Sequence, residues 1–186
     1  MKDILNNYKS NLKNLIDGIK LEEITNLVND LEECWKKDRN IFICGNGGSA
    51  GNANHIANDL LYGAGLNNGK GLNIESLSAN SSVITCLAND TGYENIYSEQ
   101  VKAKGRKDDL LIILSGSGNS KNVVKAIQEA KKINMKTFSI VGFDGGQCKK
   151  LSEKFIHLNI NDMQISEDLQ LSIFHICMKI LNTKKI

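Results

Sequence analysis

Two short segments of this chain gather hydroxyl, amide and glycine groups in the way an anion site requires. Ser115-Gly116-Ser117-Gly118-Asn119-Ser120 places three hydroxyls between an apolar run and a helical pattern. A phosphate needs donors converging from one side. A helix N-terminus offers free N–H groups and the positive end of the dipole, hydroxyls add donors without fixed charge, and glycines let backbone come close. The same segment also reads as an ordinary Ser/Gly connector with an N-cap serine. The second segment, Gly45-Asn46-Gly47-Gly48-Ser49, favours the binding reading. Three glycines in one tight turn cost stability unless the backbone must lie near something. Neither loop holds the lysine of a P-loop or a G-x-G-x-x-G run, which argues against a nucleotide.

The histidines suggest the reacting end of such a ligand. His55 and Asp59 lie four apart just after the first loop, so a helix there carries both on one face. Glu167 and His175 lie eight apart near the C-terminus, also near one helical face. The four suit a divalent-metal site or an acid/base pair for proton transfer. An i, i+4 pair is more often an ordinary surface contact, and a histidine among Ile173, Phe174 and Ile176 more often an ordinary core residue. His157, inside a strand pattern, is given a structural role.

The elements that must position these groups alternate between strand and helix. Residues 4–19 and 21–35 repeat apolar side chains at helical spacing and form an N-terminal hairpin over residues 1–37. Strands are predicted at 41–44, 73–77, 110–114 and 137–141, with a weak one at 155–158. Helices are predicted near 50–61, 82–88, 94–104, 121–133 and 163–181. Strands apolar through their length and separated by helices imply a parallel sheet covered on both faces, with ligands beyond the strands' carboxyl ends. No linker or second core interrupts the pattern, so residues 1–186 are expected to be one domain.

The bulk properties narrow the function classes. With 186 residues, 41% hydrophobic and 24% charged, the chain has the composition of a globular domain. A net charge of +2 with no basic face or tail argues against nucleic acid, and Lys179, Lys184 and Lys185 are read as the last turn of a helix. Five cysteines without a CxxC pair suggest reduced thiols, and no apolar run resembles a signal peptide or a membrane span. These features point to a cytoplasmic protein.

The run Cys44-Gly45-Asn46-Gly47-Gly48-Ser49-Ala50, continuing through Ala53 and His55, resembles the sedoheptulose-7-phosphate (phosphoheptose) isomerases of the sugar isomerase domain superfamily. The resemblance extends through Asn89-Asp90 and Gly92, the serine loop and His175, and covers essentially the whole chain. It implies a three-layer α/β/α sandwich around a five-stranded parallel sheet of flavodoxin-like order, assembled as a homotetramer. It also implies isomerisation of sedoheptulose 7-phosphate to D-glycero-D-manno-heptose 7-phosphate, for lipopolysaccharide or capsular heptose. By that resemblance Asn46, Gly47, Gly48, Ser49, Asn89 and Asp90 contact the sugar, and Ser115, Gly116, Ser117 and Ser120 hold the phosphate. His55, Asp59, Glu167 and His175 fall at zinc-ligand positions, Asp59 and Glu167 also facing substrate, with Asp59 as base and His175 as its acid/base partner.

Three positions depart from the family pattern. Asp59 stands where Glu is usual, Glu167 where Gln is usual, and Gly116 replaces a hydroxyl residue. The first is expected to alter proton-transfer geometry, the second to add negative charge to the metal site, the third to remove a phosphate donor. The alternative functions are a non-catalytic relative that binds a partner protein and a sugar-phosphate sensor. His175 favours the enzyme, since the partner-binding relatives lack that histidine. Sensors usually carry a fused DNA-binding domain, and none is present.

Overall fold

The computed structural model describes residues 1–66 and 69–184. Helices α1 (Lys2–Gly18) and α2 (Leu21–Lys36) precede strand β1 (Ile41–Cys44) and helix α3 (Gly48–Leu61). Strand β2 (Ile74–Ser76) leads to α4 (Ser81–Thr91) and α5 (Ser98–Lys104). There follow β3 (Leu110–Ser115), α6 (Lys121–Lys132), β4 (Lys136–Val141), α7 (Gly146–Leu151), β5 (Lys154–His157) and α8 (Met163–Leu181). All pairings are parallel and the strand order is β2-β1-β3-β4-β5, the flavodoxin-like order expected.

The apolar strands are explained by burial on two sides. Ile41, Ile43, Leu110, Ile112 and Leu114 face a core shared with α2, α3 and α8. Phe42, Cys44, Leu111 and Ile113 face a second core shared with α5 and α6. In α2, Ile24, Leu27, Val28 and Leu31 form the buried stripe, whereas Leu21 stays 80% exposed. Tyr8, Leu12, Leu15 and Ile19 of α1 pack on the first core, and the Tyr8 hydroxyl donates to Asp168 on α8. Among the described residues no helix is long and apolar enough to cross a membrane, and Lys185 lies outside them.

Element bounds shift by a few residues along the chain, and three differences have a clear structural reason. The helix expected over 94–104 is a 3-10 turn at Tyr93–Asn95 followed by α5, because the chain bends to bury Ile96 and Tyr97 completely. Helix α7 has no sequence signature, since Cys148 is its single buried residue. Strand β5 begins one residue earlier than expected, at Lys154, whose ammonium is drawn to the buried Asp30 at 2.7 Å.

Two features of this frame position the functional groups. First, β1 and β3 are neighbours in register, Cys44 beside Ile113, so the loops that follow them emerge side by side. That is the topological switch point of the sheet. Second, α3 and α8 are tied along a polar seam by Gln170, which is fully buried. Its amide nitrogen donates to Ser49 Oγ at 3.2 Å, and its oxygen accepts from Asn52 Nδ2 at 2.9 Å. Asn52 also donates to the Glu167 carbonyl at 2.9 Å.

Replacing Gln170 by Leu keeps the volume but leaves Ser49 and Asn52 facing an apolar group. The expected loss is about 1–3 kcal/mol in denaturant unfolding, and unchanged stability would show that the seam is dispensable. A second test concerns Glu33 of α2, which pairs with Lys37 at 2.8 Å and with Lys136 of β4. The two ammoniums hold its carboxyl down at about 2. Stability from this depressed group is present above the unfolded value, near 4.5, and is lost as pH falls toward 2. Glu33→Gln should therefore flatten the acid limb of the stability curve between those values. The side chain is 34% exposed, so screening keeps the effect below about 1 kcal/mol.

Candidate active site

The first loop is short because it must turn from the buried end of β1 directly into α3. Gly47, at φ 56°, caps the helix in a conformation that a side chain would strain. The buried Tyr97 hydroxyl donates to the Gly45 carbonyl and fixes the loop from behind. Asn46 is held by a reciprocal amide pair with the buried Asn122 of α6, at 2.9 and 2.8 Å, and accepts from the Tyr93 hydroxyl at 3.1 Å. Asn122, like Gln170, went unnoticed in the sequence. Both are polar residues whose burial no local pattern announces.

The second loop lies beside it. Ser115 Oγ accepts from the Gly118 N–H at 3.0 Å and Ser117 Oγ from the Asn119 N–H at 3.3 Å, so the turn folds around its own hydroxyls. Ser120 occupies the N-cap of α6, yet its hydroxyl makes no capping bond. The helix end therefore keeps donor capacity for a ligand. Asn46, Ser49, Ser115, Ser117, Ser120 and Glu167 line a recess of about 90 Å³ between the two loops. At Gly116 a side chain would collide with Met163, whose thioether occupies that place. The hydroxyl missing at this position is thus replaced by an apolar wall.

The acid/base groups meet where α3 and α8 run side by side. His55 Nε2 lies 3.2 Å from His175 Nε2 and 3.3 Å from Asp59 Oδ2, and His175 Nε2 lies 3.4 Å from the same carboxylate oxygen. Bonds of about 2.0–2.1 Å to a tetrahedral ion hold neighbouring ligand atoms about 3.3–3.4 Å apart. Two imidazoles and one carboxylate with these edges fit a zinc-type ion. His175 is not the core histidine its apolar neighbours suggest, since its side chain is 44% exposed.

Glu167 does not join this group. The sequence places it with the metal ligands, whereas the ligand atoms brought together among the described residues are those of His55, Asp59 and His175. Eight residues separate Glu167 from His175, about 12 Å of helix rise. Its carboxylate lies over Gly48 at the start of α3, in the place a side chain there would need. An anion beside the first turn of a helix is favoured by the dipole. Its negative charge therefore belongs to the recess and not to the metal triangle. Asn89 donates to Asp90 at 2.8 Å on exposed α4, and among the described residues neither side chain bonds to either loop. Burial pushes the Cys44 thiol up and the Cys148 thiol to about 12, so neither serves as a nucleophile.

Comparison with known proteins matches this arrangement. Residues 7–142 match the SIS domain family. A phosphoheptose isomerase from Helicobacter pylori is 41% identical over 169 residues, covering 91% of this chain and 87% of that protein. The structure of a phosphoheptose isomerase from Neisseria gonorrhoeae superposes with a TM-score of 0.89 at 25% identity, covering 98% of each chain. One from Francisella tularensis superposes at 0.91 with 22% identity, covering 98% of this chain and 96% of that one, and shares the fold. A helix-flanked parallel sheet with two polar loops at its switch point and a histidine–carboxylate triangle beside them is thus the SIS domain of the phosphoheptose isomerase family, to which this chain belongs.

Proposed function

We propose that the chain isomerises sedoheptulose 7-phosphate to D-glycero-D-manno-heptose 7-phosphate through an enediol. The observation that carries this reading is the His55–Asp59–His175 triangle set beside a recess lined by serine hydroxyls. The Ser117 and Ser120 hydroxyls and the N-terminus of α6 hold the phosphate, with Ser115 shaping the turn. Asn46, fixed by Asn122, and Ser49 turn polar groups toward the sugar chain.

The reaction removes a proton from C1, passes through the enediol and returns a proton to C2, while a hydroxyl proton moves from O1 to O2. Asp59 is the base for the carbon-bound proton, and His175 moves the proton between the oxygens. Zinc, held by His55, Asp59 and His175, would supply Lewis-acid polarisation of the carbonyl and stabilise enediolate charge. Glu167, reaching over Gly48 into the recess, accepts hydrogen bonds from sugar hydroxyls.

A homotetramer suits the uncovered helices. Helix α4 has no buried residue, and Ile4, Leu5 and Leu21 are 74%, 51% and 80% exposed. A partner subunit over α4 gives Asn89 and Asp90 their route to a sugar. The product, a seven-carbon aldose phosphate made in the cytoplasm, suits heptose supply for lipopolysaccharide or capsule.

The test is an NMR time course with sedoheptulose 7-phosphate and zinc. Wild type should form the aldose phosphate, and His175→Ala should lower kcat by at least about 100-fold. Folded wild type without turnover would overturn the isomerase reading in favour of a partner-binding or sensing role. Elemental analysis of freshly purified protein should find about one zinc per chain, sharply reduced by Asp59→Asn. Protein free of zinc would remove the metal from the proposal.

A further inference from the structure

The serine loop rests on a second loop, residues 142–145, between β4 and α7. The Gly142 N–H donates to the Ser115 carbonyl at 3.2 Å, and the Cys148 N–H to the Gly118 carbonyl at 2.9 Å. A side chain at Gly118 would strike the Gly145 carbonyl, so the two backbones are in direct contact. The edge of the Phe143 ring lies 3.4 Å from the place a side chain at Gly116 would begin. This supporting loop is itself strained. Phe143 sits at φ 47°, a region where a bulky residue is held only by its surroundings.

Two bonds hold it there. The Phe143 N–H donates to the Ile160 carbonyl at 2.9 Å, and the Phe143 carbonyl lies 2.9 Å from His157 Nε2. The other ring nitrogen, Nδ1, lies 3.0 Å from Lys149 Nζ. An ammonium can only donate, so Nδ1 accepts, and the ring proton resides on Nε2, where it donates to Phe143. Lys149 is in turn held over the Phe155 ring, 5.4 Å from its centroid. Lysine therefore selects the tautomer, the tautomer clamps Phe143, and Phe143 supports the loop beneath Gly116 and Ser117.

We propose that His157 is a positioning residue for substrate phosphate, clamping Phe143 in its left-handed conformation and so holding the serine loop in shape. This rests on the reading that the serine loop holds the phosphate. The experiment measures KM and kcat for sedoheptulose 7-phosphate, the inhibition constant of inorganic phosphate, and the melting temperature for wild type, His157→Ala and His157→Gln. In the Ala variant, KM and the phosphate inhibition constant should both rise about ten-fold, the scale of one lost positioning hydrogen bond, with kcat within about two-fold. The Gln variant, whose amide can donate where Nε2 did, should restore both. An Ala variant that melts lower but keeps wild-type phosphate inhibition would overturn the clamp and leave His157 a purely structural residue. If the Ala variant does not fold, Lys149→Met is assayed in the same way, since it removes the donor that selects the tautomer and keeps His157 itself. Weakened phosphate inhibition supports the clamp, and unchanged inhibition overturns it. Wild-type protein that turns over substrate without competition from phosphate would instead overturn the phosphate-loop reading, and the clamp with it.

Discussion

Gln170 has no charge and touches no reacting group, yet the site depends on where it sits. Its amide is fully buried between α3 and α8, and each end finds a partner on α3, Ser49 for the nitrogen and Asn52 for the oxygen. A buried amide left unpaired is costly, so the helices can slide or rotate against each other only by breaking both bonds. This fixes their register. With 49 set against 170, the next turns of the same two helices bring His55 and Asp59 against His175. The sheet supplies the other half of the constraint, because β1 and β3 are parallel neighbours and must release their loops at the same edge.

The departures from the family pattern become intelligible as local packing. Gly116 and Met163 are one feature: the thioether fills the volume that a side chain at 116 would take, so the recess keeps its wall while losing a hydroxyl. Glu167 and Gly48 are another. With no side chain on the first residue of α3, the carboxylate can lie against the helix start, where the local dipole favours it. The charge of Glu167 thereby lies away from the His55, Asp59 and His175 cluster and against the recess between the two loops. A carboxylate there accepts from hydroxyls but repels phosphate, which gives the recess a polarity along its length.

Much of this was legible because the relevant signals are local. Strands β1 and β3 announce themselves as unbroken apolar runs, and both loops by glycines and hydroxyls where those runs end. His55 and Asp59 share a face by spacing alone. What stayed hidden is non-local. Tyr97 bends the chain between Tyr93 and α5 because its hydroxyl is needed behind Gly45, 52 residues earlier. Asn122 and Gln170 look like surface amides until their partners, 76 and 121 residues away, are known. Position along α8 alone groups Glu167 with the metal ligands. The direction of its side chain is set by the absence of one at Gly48, which spacing along α8 does not reveal.

The shorter carboxylate at Asp59 raises a question of reach, and the packing of α3 answers it. An aspartate brings its oxygens one methylene less far from the helix than a glutamate, and misplacement of about 1 Å matters for proton transfer. Yet Asp59 Oδ2 lies 3.3 Å from His55 and 3.4 Å from His175, at distances that suit ligation of one ion. On the side of α3 that packs on the core shared with α8 stand small residues, Ala53 fully buried and Ala57 partly buried. Interaxial distance follows the side chains at the contact, so such a helix can lie close to α8. The seam through Gln170 holds it there. The shorter side chain at Asp59 thus still meets both imidazoles. Glu167 has the length of the usual Gln and adds a charge, which lies over Gly48 at the recess, while Asp59 keeps the charge of the usual Glu, so the two departures together add one negative charge on the recess side.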